Sequence, residues 1–177
     1  MATTPLAVRG LQTCAGRRQD VLDQLNWLGE LSEEDHAVLV VSNHGNEDGV
    51  ECFGTGPVTP ADLNAIFLAC AAPIVMVFGQ CHAGVFGSVA SSSRRAAVVA
   101  ACSATQQSRS TVDKNHNEFL HQLYEAWFAG TATSPSLKSA FNCAKNAVRT
   151  DCYGEPHDRC EHAELHDPHG VAATFLL

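Results

Sequence analysis

The chain has 177 residues, 45% of them apolar and 17% charged, with a formal net charge of −8. That composition fits a single globular domain over 1–177 that buries roughly two-thirds of its unfolded surface, and it excludes a disordered chain. The negative balance argues against nucleic acid and anionic membranes as partners, since both call for basic patches. The longest apolar run, Ile66 to Phe78, is broken by Pro73 and too short to span a bilayer, and MATTPLAVRG lacks the charged end and apolar stretch of a secretory signal. A soluble, cytoplasmic chain is expected. Its eight cysteines then read as reduced thiols, with Cys70, Cys102 and Cys143 as small buried hydrophobes.

Short apolar runs alternate with helical patterns, the signature of an α/β layer fold with a mostly parallel sheet. The first run is Leu6 to Leu11. Thr13 can then cap a helix whose Val21, Leu22, Leu25 and Leu28 share a stripe. A second run, Ala37 to Val41, precedes Thr59-Pro60-Ala61-Asp62, a capped helix start with proline first and an acid third. That helix places Leu63, Ile66, Phe67 and Cys70 on one face. The runs Ile74 to Phe78 and Ala96 to Cys102 are continuously apolar, as strands covered on both faces should be. A helix near Asn117 to Ala129 carries Leu120, Leu123, Tyr124 and Trp127 toward the core. Another opens at Ser134-Pro135 with Leu137, Phe141, Ala144 and Val148 at helical spacing. Val171 to Leu176 reads as a final strand. Ser91 to Arg95 is a polar connection, and residues 103–116 and 150–170 form two long irregular stretches. Loops of that length in a compact domain are usually functional or disordered.

Two strands end in chemistry. VLVVSNHGNEDG, residues 38–49, runs from a strand into Ser42-Asn43-His44-Gly45. IVMVFGQCHAG, residues 74–84, runs from a strand into Gly79-Gln80-Cys81-His82. Ligands and catalysis gather at the carboxyl ends of parallel strands, and one helix joins these two strands into a βαβ unit. His44 and Cys81 would then face one crevice, as a thiol nucleophile and its imidazole require. Cys81 can attack a carbonyl as thiolate, while His44 can protonate a leaving amine and later activate water. Gly45 allows close backbone approach, so its N–H and that of Cys81 could hold an oxyanion. Gly84 and Gly87 would permit the sharp turn that follows. His82 receives a shaping role at most, because a side chain rarely points at its sequence neighbour's reactive atom.

SNHG and QCHAG resemble the His-Gly and Cys-His-Ser-Gly blocks of the caspase–legumain clan of cysteine peptidases, the second as found in metacaspases. AAVVAACSATQQSRS, from Ala96, resembles the strand and loop that form one wall of the clan's specificity pocket. The similarity covers roughly residues 6 to 177. It implies a three-layer αβα caspase-like fold whose last edge strand is antiparallel. It implies a cysteine endopeptidase working through a thioacyl intermediate, with Cys81 as nucleophile, His44 as acid and base, and no cofactor. Gly79, Gln80, Ser108 and Arg109 would line the substrate pocket, and the partner would be a peptide or protein substrate. Leu6 to Leu11 corresponds to the family's second strand. The first is therefore expected to be missing, the chain N-terminally truncated, and its edge completed by an upstream segment or by a homodimer.

Where basic-specific members of the clan carry an acid two residues before the nucleophile, this chain has Gly79. A neutral polar or small residue is therefore expected on the acyl side of the cleaved bond (P1). An acidic one is accommodated if Arg109 points inward, and a basic one only if Asp113 or Glu118 folds back. Two rival readings stand beside the peptidase. One is a catalytically inactive caspase-like interaction or regulatory module. The other is a structural zinc site in the 152–169 stretch, drawing on Cys152, His157, Cys160 and His162, with His166 and His169 nearby. Those are zinc ligand types, but their spacing matches no common finger.

Overall fold

The computed structural model describes residues 16–92, 95–110, 117–129, 136–151 and 162–175. Its main sheet has the order β1 (Ala37–Val41), β4 (Ile74–Phe78), β5 (Ala96–Ala100) and β6 (Glu164–His166). β1, β4 and β5 are parallel, in a register that aligns Val41 with Phe78 and Phe78 with Ala100. β6 closes the sheet antiparallel to β5, with Ala100 opposite Glu164. Every residue of β4 and β5 is buried, which is why both strands are apolar throughout.

Alternate strand residues serve two helical layers. Ile74, Met76, Phe78, Val98 and Ala100 face a core shared with α1 (Arg18–Leu25), α2 (Pro60–Leu68) and α3 (Gly87–Ser92). Val75, Val77, Ala97 and Val99 face α4 (Glu118–Trp127), α5 (Leu137–Asp151) and α6 (Val171–Thr174). The result is three layers, αβα. A small hairpin, β2 (Gly45–Asn46) with β3 (Gly49–Val50), follows β1.

Helix starts are where the chemistry is local. Thr59 Oγ1 accepts from the Asp62 N–H at 3.3 Å, while the Thr59 N–H donates to the Asp62 carboxylate at 2.9 Å. This capping box, with Pro60 at the first helical position, begins α2 where its residue types demand. Asp62 also pairs with the Arg18 guanidinium, tying α2 to α1. Partial burial pushes the Asp62 carboxyl up, but Arg18 and the Thr59 amide and hydroxyl outweigh it and hold it below the ordinary carboxylate value. Asn117 caps α4 by accepting from the Leu120 N–H at 2.8 Å.

Three expectations are corrected. The antiparallel edge strand is Glu164–His166, and Val171–Thr174 is a helical turn. The Asp167 carboxylate accepts from the Val171 and Ala172 N–H groups at 2.7 and 3.0 Å, closing that turn before a strand can form. Val171, Ala172 and Phe175 are buried, so the run keeps its core role with a different backbone. In α4, Tyr124 is 57% exposed and Phe119 takes its place in the core beside Leu123, Ala126 and Trp127. Finally, the first helix winds on as a 3₁₀ turn, Asn26–Glu30, which brings Leu28 into the core.

Leu6 to Leu11, Thr13, Asp113 and Ser134-Pro135 lie outside the described residues. Among the described residues, β1 pairs only with β4 and leaves Val38 38% and Val40 56% exposed. No described helix is long and apolar enough to cross a membrane.

Candidate active site

β1 delivers Ser42, Asn43 and His44 to the surface at its carboxyl end, all three exposed. The hairpin then fixes the His44 backbone. The Glu51 N–H donates to the His44 carbonyl at 3.0 Å, and Asn43 Nδ2 donates to the Glu51 carbonyl at 2.9 Å. Asn46 Oδ1 holds the hairpin turn by accepting from the Asp48 and Gly49 N–H groups. A cavity of about 570 Å³ opens beside this segment, with Val41, His44, Cys52 and Phe78 in its walls.

β4 arrives alongside. The Gly79 N–H donates to the Val41 carbonyl at 2.8 Å, extending the parallel ladder to the strand tips. Gly45 then lies directly against Gln80 and Cys81. A Cβ at position 45 would stand 2.5 Å from the Cys81 carbonyl oxygen and overlap the Gln80 side chain. Only glycine lets the two segments meet so closely. The structure therefore brings the His44-Gly45 backbone to the turn at Cys81.

The turn after Cys81 works differently from its sequence reading. Gly84 and Gly87 have no left-handed backbone; His82 does, at φ 57° and ψ 23°. Two bonds from one loop hold it there. The His82 N–H donates to the Gln106 carbonyl at 2.8 Å, and His82 Nδ1 lies 2.9 Å from the Ala104 carbonyl. Because a carbonyl only accepts, Nδ1 must carry the proton in that contact. The two glycines serve packing instead. A Cβ at Gly84 would stand 2.8 Å from the Glu164 carboxylate, and one at Gly87 2.5 Å from the His166 ring. A 3₁₀ turn, Ala83–Phe86, then reverses the chain so that Phe86 stacks on Phe78, ring centroids 4.2 Å apart.

The loop after β5 forms the facing wall. Cys81 Sγ lies 4.0 Å from the Ser108 carbonyl, and Ser108 Oγ donates to the Gly79 carbonyl at 3.0 Å. Buried Cys102 sits behind, its sulfur 3.2 Å from the Gln106 carbonyl and 3.5 Å from the Gln80 carbonyl. The Arg109 carbonyl accepts from Asn117 Nδ2 and from the Glu118 N–H, both at 3.0 Å, fastening the loop to α4. Thus Gly79, Ser108 and Cys81 converge, whereas Gln80 is 1% exposed and packs beneath Gly45 instead of facing a crevice. Burial pushes the Cys52 thiol up, which makes it a poor thiolate source near neutral pH.

One contact at this tip is not legible in the sequence, which marks Leu120 only as a core residue. Leu120 of α4 lies over Gly79, its Cγ 2.6 Å from where a Cβ at 79 would stand. No local pattern relates a helix's first turn to a strand tip so distant in sequence. Of the zinc candidates, Cys152, His157 and Cys160 lie outside the described residues, and His162 is exposed. Among the described residues no three His, Cys, Asp or Glu side chains are grouped to hold a metal ion.

No family model matches the chain, and no curated protein matches it in sequence. Among solved structures, the chain is similar to protein GSU0716 from Geobacter sulfurreducens, with TM-score 0.59 and 18% identity over 88% of this chain and 76% of that one. It is also similar to caspase-1 from Spodoptera frugiperda, with TM-score 0.65 and 12% identity over 84% of this chain and 67% of that one. At such identities the likeness shows the fold alone, and that fold is caspase-like.

Proposed function

We propose that the chain is a cysteine endopeptidase with Cys81 as nucleophile and His44 as general acid and base. One observation supports the reading: the Gly45 backbone packs against Gln80 and the Cys81 carbonyl, so the His44 segment and the Cys81 turn meet at adjacent strand tips. In the reaction, the Cys81 thiolate attacks the scissile carbonyl carbon and the Gly45 and Cys81 amides hold the resulting oxyanion. The C–N bond breaks as His44 gives its proton to the leaving amine, leaving a thioacyl enzyme. His44 then takes a proton from water, whose oxygen attacks the thioester; the acid departs and the thiol is restored.

A second reading has an observation of its own. The Cys81 sulfur faces the Ser108 carbonyl, an arrangement that suits a thiol at rest in an inactive interaction module. Iodoacetamide labelling followed by mass spectrometry separates the two. The peptidase reading expects Cys81 to label far faster than Cys52 or Cys143, and His44→Ala to slow that labelling. Equal rates at all three thiols, with no cleavage from a peptide library, would leave the inactive module standing.

A further inference from the structure

We propose that the cavity between β1 and α1 is a binding site for a compact, multi-ring apolar molecule that carries a hydrogen-bond donor, an amine or a hydroxyl, at its outer end. The assignment stands independently of the peptidase reading. It begins with an incompletely packed layer. On the face of the sheet that meets α1 and α2, Ile74, Met76 and Phe78 of β4 are 2% exposed or less. On the same face, Leu39 and Val41 of β1 and Val21 of α1 are only half-buried. Protein interiors are close-packed, and voids larger than a water molecule are few. Here the gap amounts to about 570 Å³, walled by Val21, Leu39, Val41, Cys52, Leu63 and Phe78. An apolar cavity of about 150 Å³ takes up benzene. This one has room for several times that bulk and falls within the size range of small-molecule sites.

The mouth indicates what kind of molecule fits. Ser42, Asn43, His44, Glu51 and Phe53 line it and are exposed. Main-chain groups there already serve one another: the Glu51 N–H donates to the His44 carbonyl at 3.0 Å, and Asn43 Nδ2 donates to the Glu51 carbonyl at 2.9 Å. Recognition therefore falls to side chains. The Glu51 carboxylate can only accept, so it favours an amine or hydroxyl and repels an anion. Phe53 is an independent sign of an occupant. It is 78% exposed at the rim of an apolar cavity, and a ringed ligand would cover it. Cys52 contributes bulk to the wall: its thiol lies 3.8 Å from the Val50 carbonyl and burial keeps it protonated near neutral pH.

The test uses N-phenyl-1-naphthylamine, an uncharged aryl amine whose fluorescence rises in apolar surroundings. The full chain should bind it saturably, and bound probe should slow the reaction of Cys52 with N-ethylmaleimide. 8-Anilinonaphthalene-1-sulfonate has the same rings with a fixed negative charge, and it should bind at least about tenfold more weakly. Glu51→Gln should narrow that difference. Cys52→Phe and Val41→Phe each fill the cavity and should abolish binding, with thermal scans to establish that both fold. Phe53→Ala, at an exposed position, should weaken binding about three- to tenfold, the scale of one aromatic contact. Leu68→Ala, exposed on α2 outside the cavity wall, should change nothing. Absence of saturable binding, or binding that leaves Cys52 labelling untouched or survives both folded phenylalanine variants, would overturn the site. Tighter binding of the sulfonate than of the amine would overturn the ligand class.

Discussion

Replacing Gly45 by alanine tests the contact on which the candidate site depends. The added Cβ would lie 2.5 Å from the Cys81 carbonyl oxygen, where an unstrained contact needs about 3.5 Å. One segment must therefore move by about 1 Å. The obstacle is backbone on the Cys81 side, so a rotamer change cannot relieve it. Overpacking of this kind costs about 1–3 kcal/mol, and for a chain of this size that lowers Tm by roughly 2–12 °C. A misplacement of about 1 Å between reacting groups costs about a hundredfold in rate. Gly29→Ala is the control, since nothing lies within 4 Å of a Cβ there. The expected outcome is a loss of about a hundredfold in kcat/KM and a lowered Tm for Gly45→Ala, with neither change for Gly29→Ala. If Gly45→Ala kept both its Tm and its rate, the close approach of the two strand tips would have no bearing on activity.

Cys81→Ala and His44→Ala should each lower peptidase activity by more than about a thousandfold, because nucleophile and base act as a unit; melting scans should show both still folded. Substitution of His82 by valine should destabilise the nucleophile turn by about 1–3 kcal/mol, since a β-branched residue resists its left-handed backbone. His82→Asn should recover most of that loss, and urea unfolding of the two variants measures the difference. Asp62→Asn probes acid stability. The folded Asp62 carboxyl lies below its ordinary value of 3.8, so its contribution is intact above that pH and fades as pH falls through the lowered folded value. Urea midpoints followed between about pH 2 and 6 should fall less steeply for Asp62→Asn than for the unmodified chain.

The parts of the fold legible in the sequence were those fixed by local chemistry or by strong patterning. Thr59-Pro60-Ala61-Asp62 announced α2 because each residue has one favoured place at a helix start. The apolar runs at 74–78 and 96–100 announced central strands because nothing polar could be tolerated on either face. Val171 to Leu176 misled because a short apolar run has no period of its own; a side chain outside it, Asp167, decided the backbone. The candidate site divides along the same line. Strand tips bearing His44 and Cys81 were visible, since polar residues that abruptly end an apolar strand stand out. His82 was underrated because nothing in its surroundings in sequence signals a left-handed backbone; the loop at Ala104 and Gln106 supplies the bonds that hold it. Leu120 over Gly79 is a meeting of distant segments, and only the packed fold can disclose it.

Parallel neighbours such as β1 and β4 cannot be joined by a hairpin; they need a crossover, here through α2. Closing that crossover costs chain entropy before any ladder bond can compensate, so the pairing lags behind the local helices as the chain folds. A nascent or half-folded chain thus carries His44 and Cys81 without ever bringing their segments together. On the proposed peptidase reading, hydrolysis would begin only once the sheet closes and would be lost wherever β1 frays.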